Sequence, residues 1–273
     1  MSRLWKLLVL CIVSALVFPS TAMGAWSTPV CWEHNTAGVE RMPWLVGRTL
    51  FYAKSYDIYQ SVFDGETWSD PEPVPGKINT SVNEINPAVI KGGTVMYFLR
   101  YMDTTDYDFY RSEWDTELGE WGEPVRIDVW STDIQDWDVW VSEDDMSAYL
   151  TTKGAYGDAV SLGGRDIWYS ERQDGEWSIP VNVGPPINSA KDEWSVFVDQ
   201  EGRIYFDSNR EGGSGNYDIW VAEGWEGPVT NVTELNSAAP EREIAIDGDL
   251  AVFSADRREG GVGGYDLWVS TLE

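Results

Sequence analysis

The side chains that most often carry chemistry are scarce in this sequence. In 273 residues it has one histidine, His34, and two cysteines, Cys11 and Cys31. A zinc site of His and Cys ligands is disfavoured by that count. A Ser-His relay could be built only around His34, and no G-x-S-x-G turn presents a serine to it. Basic residues are few as well: 19 Lys and Arg stand against 46 Asp and Glu, a net charge of −27. Such a surface repels nucleic acid and anionic lipid at long range, and it favours cations or basic partners. Long apolar runs are missing except for Leu7 to Phe18, which follows Arg3 and Lys6 and precedes Ala22-Met23-Gly24. Basic residues, a short apolar run and small residues, in that order, predict a secretory signal peptide over 1–24. Its removal would take Cys11 with it, leaving Cys31 without an intrachain partner, so a packed core rather than disulfides must hold the fold. The product is expected to be periplasmic or secreted, with no membrane span after cleavage.

Tryptophan, by contrast, is abundant, with 16 residues. Many of them sit in a recurring phrase, a Trp with a Pro three residues later, at Trp68, Trp121, Trp177 and Trp225. The phrase also opens the segment "AWSTPV" from Ala25, ahead of any repeat. Behind each phrase comes an Asn and, five positions on, an acid: Asn35 and Glu40, Asn79 and Glu84, Asn188 and Glu193, Asn236 and Glu241, with Ser131 and Asp136 in the third repeat. A two-strand pattern follows, clearest in "SVFVDQEGRIYF" and "IAIDGDLAVF", whose Glu-Gly and Asp-Gly mark tight turns. Then comes a glycine-rich loop and Asp-hydrophobic-aromatic, as in "DIW" at Asp166 and Asp218. Four short strands recurring every ~50 residues make one propeller blade, a sheet that buries both faces only against its neighbours. The expected fold is therefore all-β: a five-bladed β-propeller of four-stranded antiparallel blades over residues 25–273. The last repeat stops after its third strand, and the amino-terminal Trp26 to Val30 is expected to complete that blade and close the ring. The recurrent tryptophans, Trp168, Trp220 and Trp268 included, are expected to wedge between blades.

The phrases "DSNREGGSGNYDIWVAE", "SADRREGGVGGYDLWVS" and "DGEWSIPVNVGPPINSAKDEW" resemble the TolB-type β-propeller repeats of cell-envelope proteins. The resemblance covers nearly the whole chain after the leader. It implies the fold and, more weakly, a module that binds an envelope protein or glycan without chemistry of its own. The chain departs from that family in lacking an accessory α/β domain and in having five repeats rather than six.

Every repeat carries a cation between two carboxylates at one end of its sheet. The sets are Glu40, Lys54 and Asp57; Glu84, Arg100 and Asp108; Asp136, Lys153 and Asp166; Glu193, Arg210 and Asp218; Glu241, Arg257 and Asp266. The expected role is structural: the cation bridges strands, and the Asp accepts N–H groups of the loop before strand three. A ring of such trios around the axial mouth could alternatively attract Ca²⁺, although no EF-hand pattern supports a dedicated site and no cofactor is otherwise expected. Function is sought where the repeat breaks. The residue after each strand-one acid varies: Arg41, Ile85, Trp137, Trp194 and Arg242. With Trp130, Asp136, Asp138, Glu193 and Glu241, the last three of these nominate a ligand-binding face, suited to a basic peptide or a sugar. A glycosidase is the rival, with Asp136, Asp138, Glu193 and Glu243 as candidate carboxylates.

Overall fold

The computed structural model describes residues 24–103 and 106–273, so nearly all of the expected signal peptide, 1–23, lies outside the described residues. Every regular element among the described residues is a strand, and the strands form five antiparallel sheets, the blades of a propeller. The amino-terminal strand β1 (Val30–Cys31) precedes the first blade, which is built from β2 (Glu40–Val46), β3 (Thr49–Lys54), β4 (Asp57–Val62) and β5 (Glu72–Pro73). In the second, β6 (Glu84–Ile90), β7 (Val95–Asp103) and β8 (Asp106–Asp115) carry a split outer edge, β9 (Glu120–Trp121) and β10 (Val125–Arg126). The third repeats this with β11 (Asp136–Val141), β12 (Ser147–Thr152), β13 (Asp166–Gln173), β14 (Glu176–Trp177) and β15 (Val181–Asn182). The edge splits at Pro124 and Pro180, because proline has no N–H to give to the ladder. The fourth blade holds β16 (Glu193–Val198), β17 (Ile204–Ser208), β18 (Asp218–Ala222) and β19 (Val229–Asn231).

The fifth blade has three strands of its own, β20 (Glu241–Asp247), β21 (Leu250–Asp256) and β22 (Tyr265–Thr271), and β1 is its fourth. Val30 pairs with Val269 and Cys31 with Trp268, while Trp26 bridges Leu272. The Ser27 N–H donates to the Thr271 carbonyl at 2.8 Å, and the Trp32 N–H to that of Leu267 at 2.9 Å. Without this segment β22 would present unpaired backbone to solvent.

The first strands of the blades touch one another in ring order and line the axis. Each of them carries a register shift two to four residues in, and Met42, Asn86 and Glu243 take left-handed φ of 59°, 54° and 56° there. These bulges turn one side chain per blade toward the axis. The expected tight turn at Asp247-Gly248 is present, with Gly248 at φ 62°, which only glycine adopts without cost. Between blades, Trp121, Trp168, Trp220 and Trp268 are buried, each set in the layer that joins one sheet to the next.

Candidate functional site

The repeated Asn is a staple between blades. Asn79 accepts from the Ile58 N–H at 2.8 Å and donates to its carbonyl at 2.9 Å, so a side-chain amide takes the place of a fourth-strand residue. Asn188 does the same to Ile167, Asn236 to Ile219, and Asn35 to Leu267 across the ring closure. Ser131, lacking an amide, retains only the acceptor half, from the Phe109 N–H at 3.3 Å.

The next residue is always Ser or Thr, and its backbone N–H and hydroxyl both donate to the acid four positions on. The pairs are Thr36 with Glu40, Thr80 with Glu84, Thr132 with Asp136, Ser189 with Glu193 and Ser237 with Glu241. All five acids are fully buried. Burial pushes the Asp136 carboxyl up to about 8, and it raises Glu193 and Glu241 despite the hydroxyls and arginines that oppose it.

The charged trios differ from expectation in two respects. First, the cation contacts only the strand-one acid, together with the carbonyl before the Asn: Arg100 joins Glu84 to Ile78, and Arg210 joins Glu193 to Ile187. In the fifth blade that part is taken by Arg258, which reaches Glu241 at 3.3 Å and the Leu235 carbonyl at 2.6 Å. Its neighbour Arg257, at φ 53°, points outward with a side chain 81% exposed. Lys54 lies 5.4 Å over the Tyr59 ring rather than in an ion pair, and Lys153 is exposed. Second, the strand-three acid works separately. As expected, Asp166, Asp218 and Asp266 each accept two successive N–H groups of the preceding loop; Asp108 instead takes Arg126 in a two-point contact at 2.8 and 2.9 Å. Asp57 is the backbone register partner of Lys54 across a two-residue turn, with no ion pair between their side chains.

The axial residues form a second ring of bonds. Asp138 accepts the Val196 N–H at 2.8 Å, Ser195 that of Glu243 at 3.2 Å, and Glu243 that of Met42 at 3.0 Å. Asn86 donates to the Trp137 carbonyl. Each polar side chain thus holds the bulge of the next blade. The channel they line, with Trp44 and Phe197, has a volume of about 20 Å³, room for roughly one water. Burial, reinforced by Glu243 and Asp207, pushes Asp138 up to about 8, and burial raises Asp207 to about 6. Burial also raises Glu243, but the adjoining Arg41 guanidinium outweighs it and leaves that carboxyl below its usual range.

The mouth above is not an acidic ring. It is a layer of indoles, phenols and guanidiniums, made by the variable residue after each strand-one acid and by the residue before each strand-three Asp. The latter is Tyr56, Tyr107, Tyr217 or Tyr265 in four blades and Arg165 in the third. Trp137 meets Trp194 edge-on at 4.7 Å. Arg165 and Arg242 lie over Trp194 at 3.5 and 4.3 Å, and Arg242 also lies 3.7 Å over Tyr217. Arg41 covers Tyr265 at 4.5 Å and pairs with Glu243. Beside them an apolar groove among the first three blades runs past Val39, Tyr56, Ile85, Tyr107 and Trp137.

Of the nominated ligand residues, the structure brings Trp137, Trp194 and Arg242 together at this mouth, with Asp138 below them in the channel. Trp130 is elsewhere: it is fully buried, 4.6 Å from Trp177, with its N–H given to Ser170. Asp136, Glu193 and Glu241 are buried in the blade staples. Among the described residues, no group of three or more His, Cys, Asp or Glu is arranged to hold a metal ion. Arg165 and the phenols were not nominated from sequence, although one signal existed: Arg165 stands where four repeats have tyrosine.

Fold and mouth together define a five-bladed β-propeller whose axial channel is narrow and whose one mouth is faced with aromatics and arginine. No family model matches the chain, and no curated protein sequence does. Solved structures do match. A putative TolB from Agrobacterium tumefaciens superposes with a TM-score of 0.51 at 19% identity, over 81% of this chain and 71% of that one. An α-L-arabinofuranosidase from Podospora anserina gives 0.53 at 14%, over 91% and 96%. A gluconolactonase from Xanthomonas campestris gives 0.52 at 13%, over 94% and 99%. At these identities the likeness is one of fold, shared by proteins of different function. Among the described residues no helix is long and apolar enough to cross a membrane.

Proposed function

We propose that this chain is a non-catalytic binding module of the cell envelope, exported by the leader at 1–24 and acting in the periplasm or outside the cell. Its partner is a protein, docked on the mouth that carries Trp137, Trp194, Arg41 and Arg242. One observation carries this reading: the positions that break the repeat converge on a single face, whereas the five repeated strand-one acids are buried in holding the blades. Aromatic residues and arginine are also the side chains that dominate protein interfaces. The repeats that resemble TolB-type propellers support a protein partner over a sugar. Flat indole faces would suit a glycan, but here Trp194 is already covered by guanidiniums.

A photo-crosslinking residue at Trp137 should capture a protein partner in the producing cell, and the same residue at Glu201, on an exposed turn, should not. Equal capture from both positions would defeat the assignment of this face. Turnover of aryl glycosides or of sugar lactones, abolished by Asp138→Asn or Glu243→Gln, would establish an enzyme instead. The arabinofuranosidase and gluconolactonase among the similar folds make that the comparison to run.

A further inference from the structure

The arginines of the mouth differ in how they are satisfied. Arg41 and Arg242 hold equivalent places, one residue after the strand-one acid, and Arg41 is neutralised by Glu243. Arg242 is 7% exposed, yet among the described residues its guanidinium makes no hydrogen bond or ion pair, and its buried Nε has no partner. Arg165, 5% exposed, has one bond, to the Gln135 side-chain oxygen at 3.1 Å, and its Nε is likewise buried without a partner. Three carboxylates act on them from further off, none within bonding distance of either guanidinium. Asp192 accepts the Tyr217 hydroxyl at 3.1 Å, Glu243 is paired with Arg41, and Asp207 accepts the Ser195 hydroxyl and the Glu243 N–H on one oxygen while its other oxygen is buried without a partner. Two buried cations therefore share one indole with most of their donors unused. A guanidinium has five N–H groups in a planar fork, and in each of these two the Nε–H is buried without a partner, which is costly. Burial, with Arg242 close by, also draws Arg165 below the usual arginine range.

From this we infer that Arg165 and Arg242, set about Trp194, form a receptor for a single carboxylate of a partner polypeptide. The inference rests on the proposed docking face and names the chemistry it reads. A carboxylate matches the fork in shape and charge, and cation–aromatic contact keeps both guanidiniums in place before it arrives. Their small exposure admits a narrow terminal group rather than a broad surface. The net charge of −27 opposes a polymer with an anion on every unit, such as a polyuronate, but tolerates one carboxylate held on two cations.

The test is selection of a random heptapeptide library with free carboxyl ends on the immobilised protein, followed by titration of the enriched peptides. Support requires that they carry a carboxylate whose amidation weakens binding about tenfold or more, and that Arg242→Met and Arg165→Met do the same. Arg242→Lys keeps the charge and the stem but loses the fork, so it should weaken binding while its melting curve stays native, which separates recognition from misfolding. Enriched peptides that depend on Trp137 but tolerate amidation would leave the docking face standing and overturn the carboxylate receptor. A library yielding no peptide dependent on Trp137 would overturn both. Binding of glucuronate, lost in Arg242→Met, with no peptide enriched, would assign the site to a glycan and overturn the polypeptide partner.

Discussion

Arg41 of the first blade and Glu243 of the last clasp each other at the axis. The Arg41 Nε lies 3.1 and 3.3 Å from the two carboxylate oxygens, one of which also accepts the Met42 N–H at 3.0 Å. The ring is thus locked twice at the same seam, by β1 at its rim and by this pair at its centre.

Breaking the central lock strands a buried guanidinium. Glu243→Ala should cost about 3 to 5 kcal/mol, the usual penalty for removing one partner of a buried pair. At about 2 to 4 °C per kcal/mol for a chain of this size, the melting temperature should fall by roughly 6 to 20 °C. The Glu243 carboxyl is held below its ordinary value, so its stabilisation is present above the unfolded pKa and is lost as pH falls through the folded one. A variant that melts like the parent at neutral pH would show that the pair contributes nothing.

The rim lock is tested by deleting residues 25–30. The deletion exposes the edge of β22, and a melting temperature lower by more than about 10 °C is expected. An unchanged curve would mean that β1 lies on the blade without supporting it.

Asn188 is 1% exposed and satisfies both backbone groups of Ile167. Asn188→Ala should cost about 2 to 4 kcal/mol, because a buried N–H and a buried carbonyl both lose their partner. Asn188→Asp keeps the acceptor but loses the donor, and chemical denaturation should place it no higher than the alanine variant plus the recovery of one bond.

Arg258→Ala should destabilise by about 1 to 3 kcal/mol, since it leaves the buried Glu241 without its cation, whereas Arg257→Ala should stay within about 0.5 kcal/mol. Urea midpoints for the two variants measure this directly. Reversed effects would restore Arg257 to the place that the repeat pattern assigned it.

Asp138 titrates at about 8 in the fold, far above an unfolded aspartate. The native state therefore holds a proton that the unfolded chain releases, and the resulting stabilisation is full below pH ~4 and is lost as pH rises toward 8. Asp138→Asn keeps an oxygen for the Val196 N–H and removes the titration. Its melting temperature relative to the parent should rise between pH 5 and pH 9, and a constant difference across that range would contradict the assignment.

Blade number, strand order and closure could be read from the chain because they depend on local patterns: alternation, turn residues, and a phrase found once without its repeat. The same is true of the Asn and the acid five residues on, whose spacing spans one loop. The cation that serves the acid was harder to place. It sits level with its partner at Arg100, two residues further at Arg210, and three further at Arg258, because the long flexible side chain reaches the same carbonyl and carboxylate from each. No spacing rule survives that freedom.

The mouth was legible only as five positions that vary. Whether they meet, and with what, depends on the bulges that rotate each first strand and on Arg165 arriving from another loop. Sequence periodicity fixes which face of a strand is buried, since that follows from geometry within a few residues. It does not say which cations find carboxylates and which are left over indoles. That is decided when five sheets converge on one axis and distant charges compete for the same few ångströms.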